Sequence, residues 1–228
     1  MRIDRNKSVL CDQDIIKEIN LGNIILFDPN NDCTKNIQNC SVDITLGNFY
    51  FSNDNIIPVL NPWNETHIKN YWGNYKVANV VKTKEEVKLY GLNIGDEYIL
   101  LNPNESILGH TREFIGGLNN ITTMIKARSS MGRSNITICR DAGWGDIGFI
   151  SRWTLEITNN NTCPLILPVG KRIGQIIFFY TGIPNKQYEG KYQTKNTPLI
   201  NESSKIDIKS IVDNWNPNLM LPKAYNDL

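Results

Sequence analysis

Residues 149–158 read Phe-Ile-Ser-Arg-Trp-Thr-Leu-Glu-Ile-Thr, and their period of two decides the fold class. In an extended chain successive side chains point to opposite faces. Trp153, Leu155 and Ile157 therefore share one face, and Thr154, Glu156 and Thr158 the other. Outward from this run, short β-prone stretches bounded by turn residues recur at 97–101, 106–114, 122–127, 135–139, 164–168 and 174–181. Such spacing predicts an all-β barrel or sandwich. Residues 41–51, Ser-Val-Asp-Ile-Thr-Leu-Gly-Asn-Phe-Tyr-Phe, predict one or two further strands around Gly47.

Helices are expected only at the margins of this β pattern. Residues 12–21 predict a short helix with Asp12 near its N-cap, Ile15, Ile16 and Ile19 on one face, and Gly22 as the stop. Thr83 and Glu86 have the spacing of a capping box, opening a helix over 84–90 that ends at Gly91. Residues 204–215 predict a closing helix faced by Ile208, Ile211, Val212 and Trp215. Residues 53–81 place Trp63, Tyr71, Trp72 and Tyr75 among many asparagines and read as a long ordered excursion. With no internal repeat and no linker, residues 1–228 read as one domain.

A chain of 228 residues, 40% hydrophobic and 21% charged, can bury a real core. Its formal charge of +1 gives no support to a nucleic-acid polymer or an anionic membrane as partner. A polyanion bound here must be small and met by a local basic cluster. Five cysteines, odd in number and without Cys-x-x-Cys spacing, predict reduced thiols and a cytoplasmic setting. Neither a signal peptide nor an apolar run of the roughly 20 residues a membrane span needs is expected.

Two constellations could carry chemistry. Arg128-Ser129-Ser130-Met131-Gly132-Arg133 puts two guanidinium groups, two hydroxyls and a glycine-permitted turn at a strand end. Forked arginine donors and successive backbone N–H groups suit phosphate oxygens, although a solvated polar turn has the same composition. Asp146 and Glu156 lie ten residues apart. Glu156 is either an ordinary outward strand residue or, if its face lines a pocket, a desolvated general base. The two histidines, His67 and His110, are too few for a zinc cage, and the His-x-Glu and Pro-Cys-x-x-Cys segments of zinc nucleobase deaminases do not occur. Walker A and Gly-x-Gly-x-x-Gly loops do not occur either, and Lys171-Arg172 lacks a glycine-rich run.

Read together, these segments resemble the dCTP deaminase branch of the dUTPase superfamily. Leu10-Cys11-Asp12-Gln13-Asp14-Ile15 is similar to its opening LxDxDI, and Cys40-Ser41-Val42-Asp43-Ile44-Thr45-Leu46-Gly47 to its xSxDVxLG strand. Ser106-Ile107-Leu108-Gly109-His110-Thr111 resembles FxLxxT, Arg128 to Arg133 resembles (R/K)SSLGR with Met131 as the exception, and Ala142-Gly143-Trp144-Gly145-Asp146 resembles AGxID. Thr154-Leu155-Glu156-Ile157-Thr158-Asn159 resembles TLExxN, Arg172-Ile173-Gly174-Gln175 resembles (K/R)IGQ, and Lys191-Tyr192-Gln193 resembles KYQ. Ala-Gly-aromatic at 142–144 is closest to the bifunctional members that also form dUMP. Gly145 stands where the family usually has Ile, Asp141 where it has Thr, and Lys195 where it has Gln. Residues 53–97 match least and read as an insertion.

The resemblance implies a mainly β fold, a distorted dUTPase-like β-barrel with short N- and C-terminal helices, forming a homotrimer with active sites at subunit interfaces. It implies hydrolytic deamination of dCTP to dUTP and ammonia, with or without hydrolysis onward to dUMP and pyrophosphate. Ser129, Arg133, the Ala142 carbonyl and Glu156 would surround the cytosine, and Glu156 would take the proton from water. Arg128, Ser130, Gln175, Tyr188 and Lys191 would hold the triphosphate with its Mg²⁺, Asp146 would lie near the sugar and α-phosphate, and no zinc would be needed. Two other functions stay open: a dUTPase in which Asp146 activates water, and a nucleotide-sensing homologue without turnover.

Overall fold

The structure, a computed structural model, describes residues 8–53, 55–186, 188–193 and 207–227. In chain order its helices are α1 (Asp12–Asn20), α2 (Glu65–Trp72), α3 (Lys84–Tyr90), α4 (Ser129–Arg133) and α5 (Ile208–Asn214). The strands are β1 (Ile24–Phe27), β2 (Ile37–Gln38), β3 (Ser41–Thr45), β4 (Phe49–Ser52), β5 (Lys76–Val77), β6 (Asn79–Val80) and β7 (Glu97–Leu101). They continue with β8 (Ser106–Gly117), β9 (Ile121–Ala127), β10 (Ile136–Thr137), β11 (Trp144–Gly145), β12 (Ser151–Asn159), β13 (Leu165–Pro168) and β14 (Arg172–Tyr180).

All strand pairs are antiparallel and fall into three sheets. One runs β10-β12-β8-β4-β5 with β1 added to β8, the second β11-β9-β14-β3-β2, and the third β13-β7-β6. An isolated bridge between Leu46 and Thr111 links the first two. Among the described residues no ladder closes a full circuit; the expected mainly β, dUTPase-like class is met by three antiparallel sheets around a shared core. That core draws Val42, Ile44, Ile99, Ile115, Ile125, Leu155, Ile157, Ile176 and Phe178 from all three sheets. Each such side chain contributes roughly 1.5–3 kcal/mol by leaving water.

The alternation expected for 149–158 is present in β12. Trp153, Leu155 and Ile157 are buried, and Arg152, Thr154 and Glu156 are partly open on the other face. The pairing of β12 with β8 is irregular between Arg152 and Thr154. There the buried Thr111 accepts from the Trp153 N–H (2.9 Å) and donates to the Glu113 carbonyl (2.7 Å), so the displaced backbone groups keep partners.

The helix signals fared unevenly. Thr83 and Glu86 form the expected capping box before α3, and Gly91 closes it in the left-handed region. In α1 the cap is Cys11 rather than Asp12, with Asp14 accepting from both its N–H and its thiol. Ile15 is buried, but Ile16 is 48% exposed, so the expected apolar face is narrower than read. The strand expected over 135–139 shrinks to Ile136–Thr137. Within 53–81 the chain forms α2, capped by the Asn64 side chain accepting from the His67 N–H. Of the closing helix, 204–206 lies outside the described residues, while Ile211 is buried against Ile25, Phe114, Leu118 and Ile150.

Beyond α5 the chain sets Trp215 against the first sheet, 4.8 Å from the His110 ring. His110 is fully buried. Its Nε2 accepts from the Phe49 N–H (3.2 Å), which leaves the proton on Nδ1 to be donated to the Thr111 carbonyl (2.7 Å). Burial holds it neutral, with a pKa lowered to about 3. Gly47 has no room for a Cβ, which would lie inside this imidazole ring. His110 is thus a core residue, and Gly47 is the space it needs.

Candidate active site

A cavity of about 590 Å³ opens beside the polar face of β12. Its polar residues include Glu156, Thr154 and Arg152 from β12, Asp146, and the tyrosines at 188 and 192. Trp144, Phe149, Trp153 and, from distant parts of the chain, Trp72 and Trp215 supply aromatic wall. Of the residues expected to act together, Glu156, Ala142, Asp146 and Tyr188 all line this one space.

Glu156 is the chemically unusual member. Its Oε2 is buried and has no hydrogen-bond partner. Burial raises its pKa above the usual carboxylate value, opposed by hydrogen bonds from the peptide backbone and the Cys139 thiol and by the charge of Arg140. An orphaned buried acceptor costs about 1–3 kcal/mol, more when charged, unless a ligand or water satisfies it. Arg140 is held just outside, its Nη2 donating to Ser106 Oγ (3.1 Å) and Thr158 Oγ1 (3.0 Å). A carboxylate with a raised pKa in the wall of a cavity can accept a proton from water near neutrality.

Asp146 follows β11, which pairs with β9 through Trp144↔Met124 and Gly145↔Thr123. The glycine that departs from the usual isoleucine has a physical reason. A Cβ at Gly145 would collide with the Trp153 ring and the Thr123 hydroxyl. The large indole of β12 occupies the volume an isoleucine would fill, and the turn keeps its path. Asp146 itself is exposed and also lines a second cavity of about 400 Å³ with Lys186, Thr122 and Tyr188. The Tyr188 N–H donates to the Ile147 carbonyl (2.9 Å), and its ring meets Phe149 edge-on at 5.4 Å, tying the 188–193 segment to this turn.

The basic constellation lies elsewhere on the chain. Residues 129–133 form the single-turn helix α4 rather than an open turn, with Arg128 at its N-cap and Gly132 inside it. Gly132 does not take a positive φ, so the expected glycine-permitted anion nest does not form. Ser129, Ser130 and Arg133 are exposed and do not line the Glu156 cavity. Arg128 is paired with the buried Asp43 carboxylate, which also holds the Arg172 Nη1 at 3.0 Å. Gln175 sits in β14 opposite Asp43 and Lys126. The Lys191 Nζ donates to the Lys223 carbonyl (3.0 Å), and the Lys223 Nζ returns a bond to the Lys191 carbonyl (2.9 Å), so Lys191 also fastens the C-terminal segment. Lys195 lies outside the described residues.

Several lining residues carried no sequence signal. Arg152 sits between the rings of Phe114 and Trp215, its guanidinium carbon 4.9 and 4.7 Å from their centroids, with its Nε unpartnered. Trp72 and Trp215 come from segments that no local pattern ties to the site. Cys139, beside Glu156, read as one of five unremarkable thiols. Among the described residues no group of three or more His, Cys, Asp or Glu side chains is placed to hold a metal ion. No helix among them is long and apolar enough to cross a membrane.

A family profile described as dCTP deaminase-like matches residues 9–181. The chain is 31% identical over 203 residues to a dCTP deaminase, dUMP-forming, of Methanosphaera stadtmanae, covering 86% of this chain and 93% of that protein. It is 33% identical over 190 residues to the protein of the same name from Coprothermobacter proteolyticus, covering 81% and 90%. A crystal structure of 2'-deoxycytidine 5'-triphosphate deaminase from Agrobacterium tumefaciens superposes with a TM-score of 0.51 at 17% identity, covering 77% of this chain and 49% of that one. At that identity the superposition speaks for the fold alone. The profile match over most of the length, together with relatives above 30% identity, places this chain in the dCTP deaminase-like family.

Proposed function

We propose that the protein is a hydrolase that deaminates dCTP to dUTP and ammonia and carries dUTP on to dUMP and pyrophosphate. The observation that supports this most is the Glu156 carboxylate, its buried Oε2 without a partner in an aromatic-walled cavity. Glu156 takes a proton from water, and the hydroxide adds to C4 of the cytosine. As the hydroxide adds, the C4=N3 electron pair moves to N3. Glu156 then delivers its proton to the exocyclic nitrogen, and ammonia departs as the C4 carbonyl forms and the hydroxyl proton ends on N3. Proton transfer of this kind typically contributes roughly 10²–10⁴ in rate. The dUMP-forming names of the relatives support the second step, for which the exposed Asp146, between the two cavities, is the candidate to orient water against the α-phosphorus.

The separation of α4 from the Glu156 cavity supports a homotrimer in which Ser129 and Arg133 of one subunit complete the cytosine pocket of the next, with Arg128, Ser130, Gln175 and Lys191 toward the triphosphate. Mg²⁺ would arrive with the triphosphate and neutralise part of its charge, bound through the phosphates with no direct protein ligand. Residues 1–228 are read as one dUTPase-like domain, and 53–97 as an insertion that brings Trp72 to the cavity. Five free cysteines fit a cytoplasmic setting.

Incubation with dCTP and Mg²⁺, with ammonia and pyrophosphate assayed separately, tests the proposal. Both products are expected. Ammonia alone would make dUTP the end product, and pyrophosphate from dUTP alone would favour a dUTPase. Nucleotide binding without either product would favour a sensing role.

A further inference from the structure

Arg152 is the one basic side chain among the described residues that line the Glu156 cavity, whose carboxylates are Asp146 and Glu156. Its guanidinium lies between the ring of Phe114, its cross-strand partner on β8, and that of Trp215. Glu156 pairs further along β8, with Leu108. Four residues of extended chain, about 13 Å, separate the two positions on β12. The cavity thus has a carboxylate toward one end and a guanidinium toward the other.

Two ring faces attract the cation but supply no oxygen for its five N–H donors. Among the described residues the Arg152 guanidinium donates no hydrogen bond and forms no ion pair, and its Nε is buried without an acceptor. The carboxylates whose charge reaches it, Asp28 and Glu113, are engaged elsewhere. Asp28 holds Arg112 at 3.6 Å and accepts from Asn31 (2.8 Å), while Glu113 accepts from the Thr45 hydroxyl (2.7 Å) and N–H (3.0 Å). A planar fork of donors fits phosphate oxygens. Of the residues that the resemblance implies for the triphosphate, only Tyr188 lines this cavity, and it brings no positive charge. We propose that Arg152 anchors a phosphate subsite at its end of the cavity, filled by the nucleotide's own phosphates or by a free phosphate group. The first source rests on the deaminase reading above, and the second does not.

Calorimetric titration of the full chain with inorganic tripolyphosphate reads the subsite without turnover. Arg152→Met keeps an unbranched, polarisable side chain between the two rings and removes the charge. Its affinity for tripolyphosphate should fall roughly ten- to hundredfold at little cost in thermal stability, the loss expected for charge-assisted bonds to an anion. Arg152→Lys, which keeps the charge without the fork, should recover part of it. The Arg152 Nε–H NMR signal, assigned by its absence from Arg152→Lys, should shift when tripolyphosphate is added to the wild-type protein. Saturating dCTP in Glu156→Gln, which should bind it without consuming it, separates the sources. Tripolyphosphate excluded by dCTP assigns the subsite to the nucleotide's own phosphates, and tripolyphosphate bound beside dCTP assigns it to a free phosphate group. If the wild-type protein releases no ammonia while Arg152 still governs tripolyphosphate binding, the deaminase reading fails and the subsite stands. Unchanged tripolyphosphate affinity in Arg152→Met would overturn the inference and make Arg152 a fastener of the C-terminal segment. Should Arg152→Met not fold, an Nε–H signal unmoved by saturating tripolyphosphate in the wild-type protein would overturn it equally.

Discussion

The polar face of β12 and the helical turn α4 hold equally striking clusters of functional groups in the sequence, yet the fold treats them in opposite ways. Around β12 the chain builds walls: Glu156 is desolvated, one of its oxygens is unpartnered, and aromatic rings from five separate segments converge on the same space. Around α4 it builds none: Ser129, Ser130 and Arg133 stand in solvent, and Arg128 is anchored from behind by Asp43. Burial is what gives a carboxylate its basicity near neutrality, whereas guanidinium groups need no burial to stay charged. One chain thus carries, as two separate halves, a buried carboxylate in a walled cavity and an exposed cluster of arginine and serine side chains that does not line that cavity.

The largest expected effect falls on the buried half. Glu156→Gln keeps size and hydrogen bonding but removes the proton acceptor, so ammonia release from dCTP should fall at least roughly 10²-fold with nucleotide binding mostly retained. Asp146→Asn, at the exposed junction of the two cavities, should spare ammonia release and damage pyrophosphate release most. Equal losses of both products in both variants would erase the distinction between the two carboxylates.

A smaller effect is expected at the edge between the halves. Lys191→Ala should raise KM roughly tenfold, more than it lowers kcat, as loss of a charge-assisted phosphate contact does. Because Lys191 and Lys223 exchange backbone bonds, Lys223→Ala sharpens the comparison. It loosens the C-terminal segment while leaving the Lys191 ammonium in place, and its KM should rise less. Equal effects from the two variants would assign Lys191 to fastening the segment.

How much of this could be read from the sequence depended on whether the signal was local. The alternation of β12, the capping box before α3 and the strand after strand from Glu97 onward are local patterns, and the fold keeps them. The α4 helix was not legible because Arg-Ser-Ser-Met-Gly-Arg has the composition of a loop, yet residues 129–133 coil into one turn. Helix α2 had a legible start at Asn64 and a stop at Gly73, masked by a surrounding run of asparagines. The mainly β, dUTPase-like class was an expectation of resemblance, and it holds, with three antiparallel sheets forming it rather than one continuous ladder. Glu156 and Asp146 were singled out by the family resemblance, since alternation alone leaves Glu156 an ordinary outward strand residue, and the fold sets both on one cavity. The Trp215–Arg152–Phe114 stack could not be read in advance, since it joins residues far apart in sequence. Gly145 is the instructive case, a departure from the family pattern that makes sense only beside Trp153.

Complementation between two inactive variants tests the division into halves most directly. Glu156→Gln removes the base and Arg133→Ala the exposed guanidinium, and each alone should be nearly inactive in ammonia release. If the halves belong to different subunits of a trimer, random mixed assemblies contain intact sites, one chain supplying Glu156 and its neighbour Arg133. Equal co-expression should then restore about one quarter of wild-type ammonia release, the share of interfaces that receive both native residues. Co-purified mixed assemblies with no more activity than either variant alone would place both residues in the same site on one chain and contradict the account.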